Sequence, residues 1–322
     1  MGFLVILLIG KITDTNVLEE IFKISPLMMF FGFLIFCTGY VIDSIRTIIV
    51  MNVLGYKIKF IDAFYNNVIG CFFSNITPFA AGGQPLQVYH LSSLGVPTEK
   101  GTNFVMSRFL ESMVTNLVVS FIFYKPVISV LQGKGVTSKL ITAGLVLSVG
   151  IAVFFFALFL NSNIIAKFVN FLEKSKILKK RDLSGKIFKW SEELNGSIAF
   201  LWKEKIYVMV LDFMLGLATL VIQAGVLFFF ILMLTKVMYT FNTFMNIFGG
   251  MTLLNMVVYY IPTPGASGGT ELFYHWFVGD IVKDSAMSLQ AVFAWRWSTY
   301  YLQIFFGMAA IVFYKLLRKR KS

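Results

Sequence analysis

A seven-residue pattern occurs twice in this chain, each time inside a strongly apolar stretch. Residues 77–83 read TPFAAGG and residues 263–269 read TPGASGG, so both fit T-P-x-A-[A/S]-G-G and begin 186 positions apart. Proline and glycine interrupt helices and leave backbone groups without helical partners. A bilayer tolerates such a break only where it is buried in protein or lines a polar cavity. Paired interruptions in two halves of a chain are typical of transporter binding sites.

The composition is that of an integral membrane protein. Of the 322 residues, 57% are hydrophobic and 14% are charged, whereas soluble domains carry about 25% charged residues. Several stretches approach the roughly 20 apolar residues that cross a hydrocarbon core. We therefore predict an all-α polytopic protein with a single transmembrane domain over residues 1–322. The predicted spans, about six, are 1–12 (short), 26–50, 100–124, 137–161, 205–234 and 285–316.

The two motifs lie in apolar stretches that are too broken for one clean helix, at about 60–92 and 240–280. We predict that each stretch is a re-entrant hairpin of two half-helices that meet at the motif. A long span with one arginine follows each motif, and its spacing is similar in both halves. Arg108 follows the first motif by 25 residues, and Arg296 follows the second by 27. This context favours a true duplication, although chance similarity remains the alternative because glycine and alanine are common.

Charge predicts the orientation of the chain, whose net charge is +12. The 162–205 segment contains ten Lys or Arg, and the C-terminus is also basic, so both should be cytoplasmic. Counting spans then places the two motifs at opposite leaflets, which is an inverted-topology repeat. Its halves are about 26–161 and 205–317. The connector, about 162–204, is amphipathic and should lie on the cytoplasmic membrane surface; a solvated loop is the alternative.

Charged residues inside spans are costly in lipid and usually functional. Two pairs are three residues apart, Asp43 with Arg46 and Arg108 with Glu111, so each pair can share a helix face. For Asp43 and Arg46 the alternative is a buried ion pair that only fixes helix packing. For Arg296 no carboxylate lies at helical spacing, although Glu271 could reach it in the folded protein.

An anionic lipid headgroup fits these residues chemically. The planar arginine fork of Arg108 or Arg296 can make two charge-assisted bonds to a phosphate, and glycine pairs at half-helix starts expose backbone N–H donors. Glu271 can pair with a cationic headgroup group or with Arg296. Each further polar residue has the alternative of satisfying broken backbone. These headgroup candidates are Glu111, Thr77, Gly82, Gly83, Gln84, Thr263, Gly268 and Gly269, with Asp43 and Arg46 secondary.

Enzyme and metal motifs are missing from the sequence. There is no P-loop, GxSxG or HExxH pattern, and the two histidines lie far apart. His275 could relay a proton, but an ordinary interfacial histidine is the alternative, as it is for His90. We expect no metal, no cofactor, no nucleic-acid partner and no catalytic residue.

Three segments resemble one known family. They are NNVIGCFFSNITPFAAGGQPLQVYHL (66–91), RFLES (108–112) and IPTPGASGGTELFY (261–274). They are similar to the lysylphosphatidylglycerol synthase transmembrane-region family, the flippase-like membrane part of bacterial multiple peptide resistance factors. The resemblance covers nearly the whole chain. It implies a lipid role for Gly82, Gly83, Gln84, Pro264, Gly265, Gly268, Gly269 and Glu271.

The resemblance also sets the functional expectations. Full-length family members make lysyl- or alanyl-phosphatidylglycerol with a cytoplasmic C-terminal domain and move it outward. This sequence stops at Ser322, soon after the last span, so we expect a stand-alone form without that domain. We expect a multi-pass lipid translocase of the bacterial plasma membrane with a cytoplasmic C-terminus. Its partners would be anionic or aminoacylated phosphatidylglycerol-type lipids; a homo-oligomer and a separate synthase remain open. The alternatives are a phosphatidylglycerol lysyltransferase and a secondary transporter of a small anion.

Overall fold

The computed structural model describes residues 6–8, 11, 16–131, 137–160 and 183–319. The described part is helical and contains no β-strand. Its helices of six or more residues are α1 (Val17–Phe22), α2 (Pro26–Val53), α3 (Phe60–Ile76), α4 (Gly83–Ser93), α5 (Thr98–Leu131), α6 (Thr137–Leu160), α7 (Leu183–Ala199), α8 (Ile206–Thr235), α9 (Phe241–Val258), α10 (Gly269–Val282), α11 (Ser285–Arg296) and α12 (Leu302–Lys319). Short π-helical segments, Phe200–Glu204 and Trp297–Tyr301, join α7 to α8 and α11 to α12.

Six helical stretches in the described part are long and apolar enough to cross a membrane, which confirms the predicted all-α membrane fold. Five of them match predicted spans. The sixth, Phe241–Val258, lies in the stretch predicted as the second hairpin. The predicted N-terminal span, 1–12, lies mostly outside the described residues.

Glycines allow α2 and α8 to pack closely. Gly32 lies against the ring of Phe230. A Cβ atom built on Gly39 would lie 3.3 Å from the methyl group of Thr219. A side chain at Gly32 would collide with that ring. Membrane helices associate through such small residues because lipid tails provide no hydrophobic force between them. The close packing of α2 against α8 therefore determines where the side chains that project from these helices lie.

Both motifs begin with the same backbone conformation. Thr77 and Thr263 are extended, with φ/ψ of −107°/145° and −115°/148°. Each precedes a proline, which disfavours the helical conformation in the preceding residue. The residues after the prolines, Phe79 and Gly265, are both left-handed, with φ/ψ of 55°/19° and 58°/22°. The fourth residues, Ala80 and Ala266, are left-handed as well, but the similarity ends there, because Ala81 is helical and Ser267 is extended.

Each motif joins two antiparallel helices. In the first hairpin, the Asn66 side chain on α3 donates to the Gln87 carbonyl on α4 at 2.9 Å. In the second, the Tyr274 hydroxyl on α10 donates to Asn255 Oδ1 on α9 at 2.9 Å. The short turns at the two motifs also pack against each other. Re-entry of these hairpins into the bilayer, and their inverted orientation, stay predictions.

The described part of the connector, residues 183–204, is helical and packs on the bundle. Leu194 and Ile198 of α7 are buried against Leu110 of α5 and Phe159 of α6. Asn103 on α5 also donates to Ser197 Oγ at 2.8 Å. The apolar side of this amphipathic segment therefore covers protein. Residues 162–182 of the predicted connector lie outside the described residues, and its place on the membrane surface stays a prediction.

Candidate functional site

A largely buried charge cluster joins α2, α5 and α8. We define it as Asp43, Arg46, Arg108, Glu111 and Asp212. Arg46 binds both oxygens of Asp212, from Nε at 3.1 Å and from Nη2 at 2.9 Å. The same Nη2 lies 3.4 Å from Glu111 Oε2, and Nη1 lies 2.8 Å from Asp43 Oδ1. Three carboxyl groups therefore surround one guanidinium group.

Arg108 belongs to this cluster and not to the surroundings of the first motif. Its Nη2 donates to the Asp43 carbonyl at 3.0 Å, and its Nη1 donates to Thr47 Oγ1 at 3.1 Å. Its Nη2 also lies 3.5 Å from Asp212. The predicted pairing of Asp43 with Arg46 is present. For Glu111, however, the ion-pair partner among the described residues is Arg46 on a different helix.

A glycine makes room for the centre of this cluster. A Cβ atom at Gly216 of α8 would lie 2.8 Å from Arg46 Nη2 and 3.0 Å from its Cζ. Non-bonded atoms rarely approach so closely, so the guanidinium group occupies the space that a side chain would need. Since Asp212 lies one turn before Gly216, α8 supplies both the carboxylate and the opening in which Arg46 sits.

A second group of polar residues, which we call the turn cluster, surrounds the second motif. It consists of Gly265, Ser267, Glu271, Arg296 and Tyr300. Arg296 Nε donates to Glu271 Oε1 at 2.8 Å. Its Nη2 donates to the Gly265 carbonyl at 3.0 Å and lies 3.4 Å from Ser267 Oγ. The guanidinium group also lies over the Tyr300 ring, 4.2 Å from the ring centroid. Glu271, the carboxylate of this pair, is fully buried.

Glu271 also caps the helix that begins after the motif. Its second oxygen, Oε2, accepts the Gly268 backbone N–H at 2.7 Å. Gly268 has φ 104° and ψ −60°, a conformation that favours glycine. One carboxylate thus stabilises both the start of α10 and the position of Arg296. Glu271 and Arg296 meet as the sequence suggested.

Several predicted headgroup ligands have local partners in the structure. The Gly82 N–H donates to Thr77 Oγ1 at 2.9 Å, just as the Gly268 N–H is held by Glu271. Thr263 Oγ1 donates to the Ser267 carbonyl at 2.9 Å. These bonds satisfy backbone that the motifs leave without helical partners. Their role toward a lipid stays a prediction.

The remaining predicted residues differ in their surroundings. Gly83 packs against Ser74 and the Gly70 carbonyl, and Gly269 packs against Ile261, so both bring helices close together. Gln84 is half-buried near the start of α4. His275 is buried between α10 and α11, where Ser288 Oγ lies 3.1 Å from its Nδ1.

A tyrosine connects the two hairpins. The Tyr300 hydroxyl lies 3.3 Å from the Pro264 carbonyl in the second motif and 3.5 Å from the Asn75 carbonyl, just before the first motif. The Asn75 side chain in turn donates to Gln303 Oε1. Polar groups of both hairpins therefore meet at the segment between α11 and α12.

Asp212 is the charged site residue that the sequence did not single out. It lies six positions into the apolar span that begins at Ile206 and is 1% exposed. The rule that singled out Arg46 and Arg108, a charge within a span, applies equally to Asp212. Sequence spacing could not indicate that both arginines reach it from other helices.

Comparison with known proteins identifies the family to which this chain belongs. The family described as the lysylphosphatidylglycerol synthase TM region matches residues 1–307. A protein of Archaeoglobus fulgidus named UPF0104 membrane protein is 26% identical over 322 residues, which cover 97% of this chain and 94% of that protein. The family match covers both hairpins. It also covers the six candidate spans of the described residues, except for residues 308–316 of the last span. The chain belongs to the family of lysylphosphatidylglycerol synthase transmembrane regions.

Proposed function

We propose that this protein transfers the headgroup of an anionic or aminoacylated phospholipid of the phosphatidylglycerol type between the two leaflets. One observation carries the proposal: two turns that begin with the same backbone conformation pack against each other, next to the buried Arg296. The family membership supports a role in membrane lipid handling. We also place the protein in the bacterial plasma membrane, with its C-terminus in the cytoplasm, where the basic residues favour it.

In the turn cluster, a lipid phosphate could replace the neutral acceptors that Arg296 now contacts. Of the acceptors around Arg296, Glu271 is charged, whereas the Gly265 carbonyl and Ser267 hydroxyl are neutral. A phosphate oxygen that replaced the neutral acceptors at Nη2 would carry charge, so the new bond would join two ionised groups instead of a guanidinium group and a neutral oxygen. Glu271 would meanwhile hold the guanidinium group in place through Nε. The headgroup would bind at Arg296 while the acyl chains stayed in lipid.

The contact between the two turns gives this binding site its gate. A headgroup that crosses near Arg296 has to pass the place where Tyr300 touches both hairpins. Separation of the turns would open the route from one side at a time if the hairpins face opposite leaflets. Such alternating exposure around a fixed site is how transporters with repeated halves work.

The proposal is tested by lipid transfer in proteoliposomes. Fluorescent phosphatidylglycerol is incorporated, and a membrane-impermeant quencher reports how fast labelled lipid reaches the outer leaflet. Replacing Arg296 alone would leave the Glu271 carboxylate buried and unpaired, which costs about 3–5 kcal/mol and risks unfolding. The informative variant is therefore Arg296→Gln combined with Glu271→Gln, in which both charges of the pair are removed together.

We expect the double variant to fold but to lose lipid transfer by about tenfold or more, the equivalent of one lost interaction of about 1.4 kcal/mol. Thermal unfolding in detergent checks that the protein is intact. Lys203→Gln, which removes an exposed cation outside the cluster, is the matched control and should transfer lipid normally. Normal transfer by a folded double variant would exclude the pair from the headgroup path.

A further inference from the structure

The charge cluster between α2, α5 and α8 is unbalanced. It contains two guanidinium groups, on Arg46 and Arg108, and three carboxyl groups, on Asp43, Glu111 and Asp212, so with all of them ionised its net charge is +2 − 3 = −1. Arg46, Glu111 and Asp212 are each at least nine-tenths buried. An uncompensated charge is costly in such a place within membrane-spanning helices. One proton bound to the cluster would make it neutral.

The contacts indicate which carboxyl group holds the proton. Asp212 is bound by Nε and Nη2 of Arg46 and is also 3.5 Å from Arg108, so its charge is well compensated. Glu111 makes one ion-pair contact within the described part of the chain, 3.4 Å to the same Nη2 atom, and its carboxyl group also meets that of Asp212. Its oxygen Oε1 is buried and has no hydrogen-bond partner among the described residues. Two carboxyl groups that converge on one donor do not readily ionise together, and Glu111 is the less supported of the two.

The other groups facing Glu111 are consistent with this assignment. Among the described residues, the ionisable ones are Asp43 and Arg46 of α2, Asp212 of α8 and Arg108 of its own helix. Asn67 of α3 and Thr47 of α2, which contact Arg108, are neutral. The two arginines balance two of the three carboxylates. Glu111 is left as the group that gains and loses a proton.

The geometry points to a proton-binding site: Glu111, beside Asp212, takes up one proton from water to form a neutral acid, and its release regenerates the carboxylate. The next step rests on the proposed function: proton binding at this site couples lipid transfer to a pH gradient. After release, the Glu111 carboxylate competes with Asp212 for Arg46. The competition changes the contacts that hold α5 against α2 and α8. Protonation therefore favours one arrangement of these three helices, and deprotonation favours another.

Infrared spectroscopy of the purified protein tests the proton site without lipid transfer. The C=O stretch of a buried protonated carboxylic acid should be present near neutral pH and should shift in D2O. Glu111→Gln should abolish this band. Asp212→Asn should abolish it as well, because two carboxylates then balance two guanidinium groups and Glu111 ionises. Glu204→Gln, the same change at an exposed position, should leave the band unchanged.

A band that persists in folded Glu111→Gln protein would overturn the assignment, as would the absence of a band in the unmodified protein. If Asp212→Asn fails to fold, Glu111→Gln still decides, since it removes a carboxyl group and leaves the cluster neutral. Its thermal unfolding midpoint is expected to equal or exceed that of the unmodified protein at alkaline pH.

Proteoliposomes with an imposed pH gradient test the coupling. Transfer of labelled phosphatidylglycerol by the unmodified protein should change several-fold when the gradient is reversed, whereas transfer by Glu111→Gln should not respond to it. Transfer that ignores the gradient, or that follows a sodium gradient instead, would overturn the coupling and leave lipid transfer intact. If the unmodified protein transfers no lipid, the proposed function and the coupling both fail, while the infrared band still decides the proton site.

Discussion

At the scale of single residues, the third position of each motif shows how one backbone conformation is achieved with two different side chains. Phe79 and Gly265 have nearly the same left-handed dihedral angles. Glycine adopts them readily, whereas other residues lose roughly 1–2 kcal/mol. Phe79 nevertheless fits because its side chain is 58% exposed. Gly265 lies against the Tyr300 ring, where a Cβ atom would overlap it.

Substitution by alanine should therefore affect the two positions differently. Gly265→Ala introduces both backbone strain and overlap with Tyr300, and we expect it to destabilise the protein by about 2 kcal/mol or more. Phe79→Ala keeps the strain already present and removes an exposed ring, so its effect should stay within about 0.5 kcal/mol. Thermal unfolding of both variants in the same detergent measures the difference. Equal shifts of the two midpoints would contradict this account of the turns.

The sequence predicted the identities of many site residues but not all of their partners. The sequence indicated that Glu271 could reach Arg296 in the folded protein, and that contact is present. Arg108 was predicted to share a helix face with Glu111, but α2 and α8 bring Asp43, Thr47 and Asp212 to it. Spacing along one helix identifies neighbours on that helix. It contains no information about which face another helix presents.

At the scale of helices, the α2–α8 contact determines where Arg46 lies. Gly216 leaves the space for its guanidinium group, and Gly32 and Gly39 let the helix backbones approach. Close approach places Arg46 within reach of both oxygens of Asp212. The position of the charged groups thus depends on these three glycines.

A prediction for this helix pair compares two glycines of α8. Gly216→Ala would place a methyl group 2.8 Å from Arg46 Nη2 and displace the guanidinium group from Asp212, so we expect a loss of about 1–3 kcal/mol. Gly225→Ala meets no atom within 4 Å and should be neutral or stabilising by up to about 1 kcal/mol, the helix propensity difference. Unfolding midpoints of the two variants provide the comparison. A stable Gly216→Ala protein would mean that Arg46 does not need this space.

Hydropathy predicted the long helices well because a span needs only length and apolar composition. It was less informative where a helix serves two purposes. α9 is apolar enough to cross a membrane and is also the first arm of the second hairpin, where Asn255 contacts Tyr274 of α10. The corresponding arm of the first hairpin, α3, has 17 residues, one fewer than α9. The first arms of the two hairpins are therefore nearly equal in length.

At the scale of the whole molecule, the repeat predicts that the two turns face opposite leaflets. Ala80 and Ala266 occupy the same position in the two motifs and are both half-buried, so each can be replaced by cysteine with little change in volume. Cys37 and Cys71 are first replaced by serine or alanine. In oriented vesicles, we expect a membrane-impermeant thiol reagent added to the cytoplasmic side to label the Ala80→Cys variant.

The Ala266→Cys variant should react with the same reagent only from the opposite side. A cysteine in the 236–240 loop, such as Met238→Cys at an exposed position, verifies which side the reagent reaches. If both positions react from the same side under all conditions, the inverted repeat would be excluded, and with it the alternating route past Arg296. The matching dihedral angles would then reflect similar local sequence alone.

The position of Tyr300 has a practical consequence. Its hydroxyl touches one carbonyl of each hairpin, at 3.3 Å and 3.5 Å, so the environment of a single phenol reports the spacing between the two halves of the protein. A fluorinated tyrosine at this position would make that spacing visible as a chemical shift. The fractions of protein with the two hairpins in contact and with the two hairpins separated could then be measured directly while lipid is added.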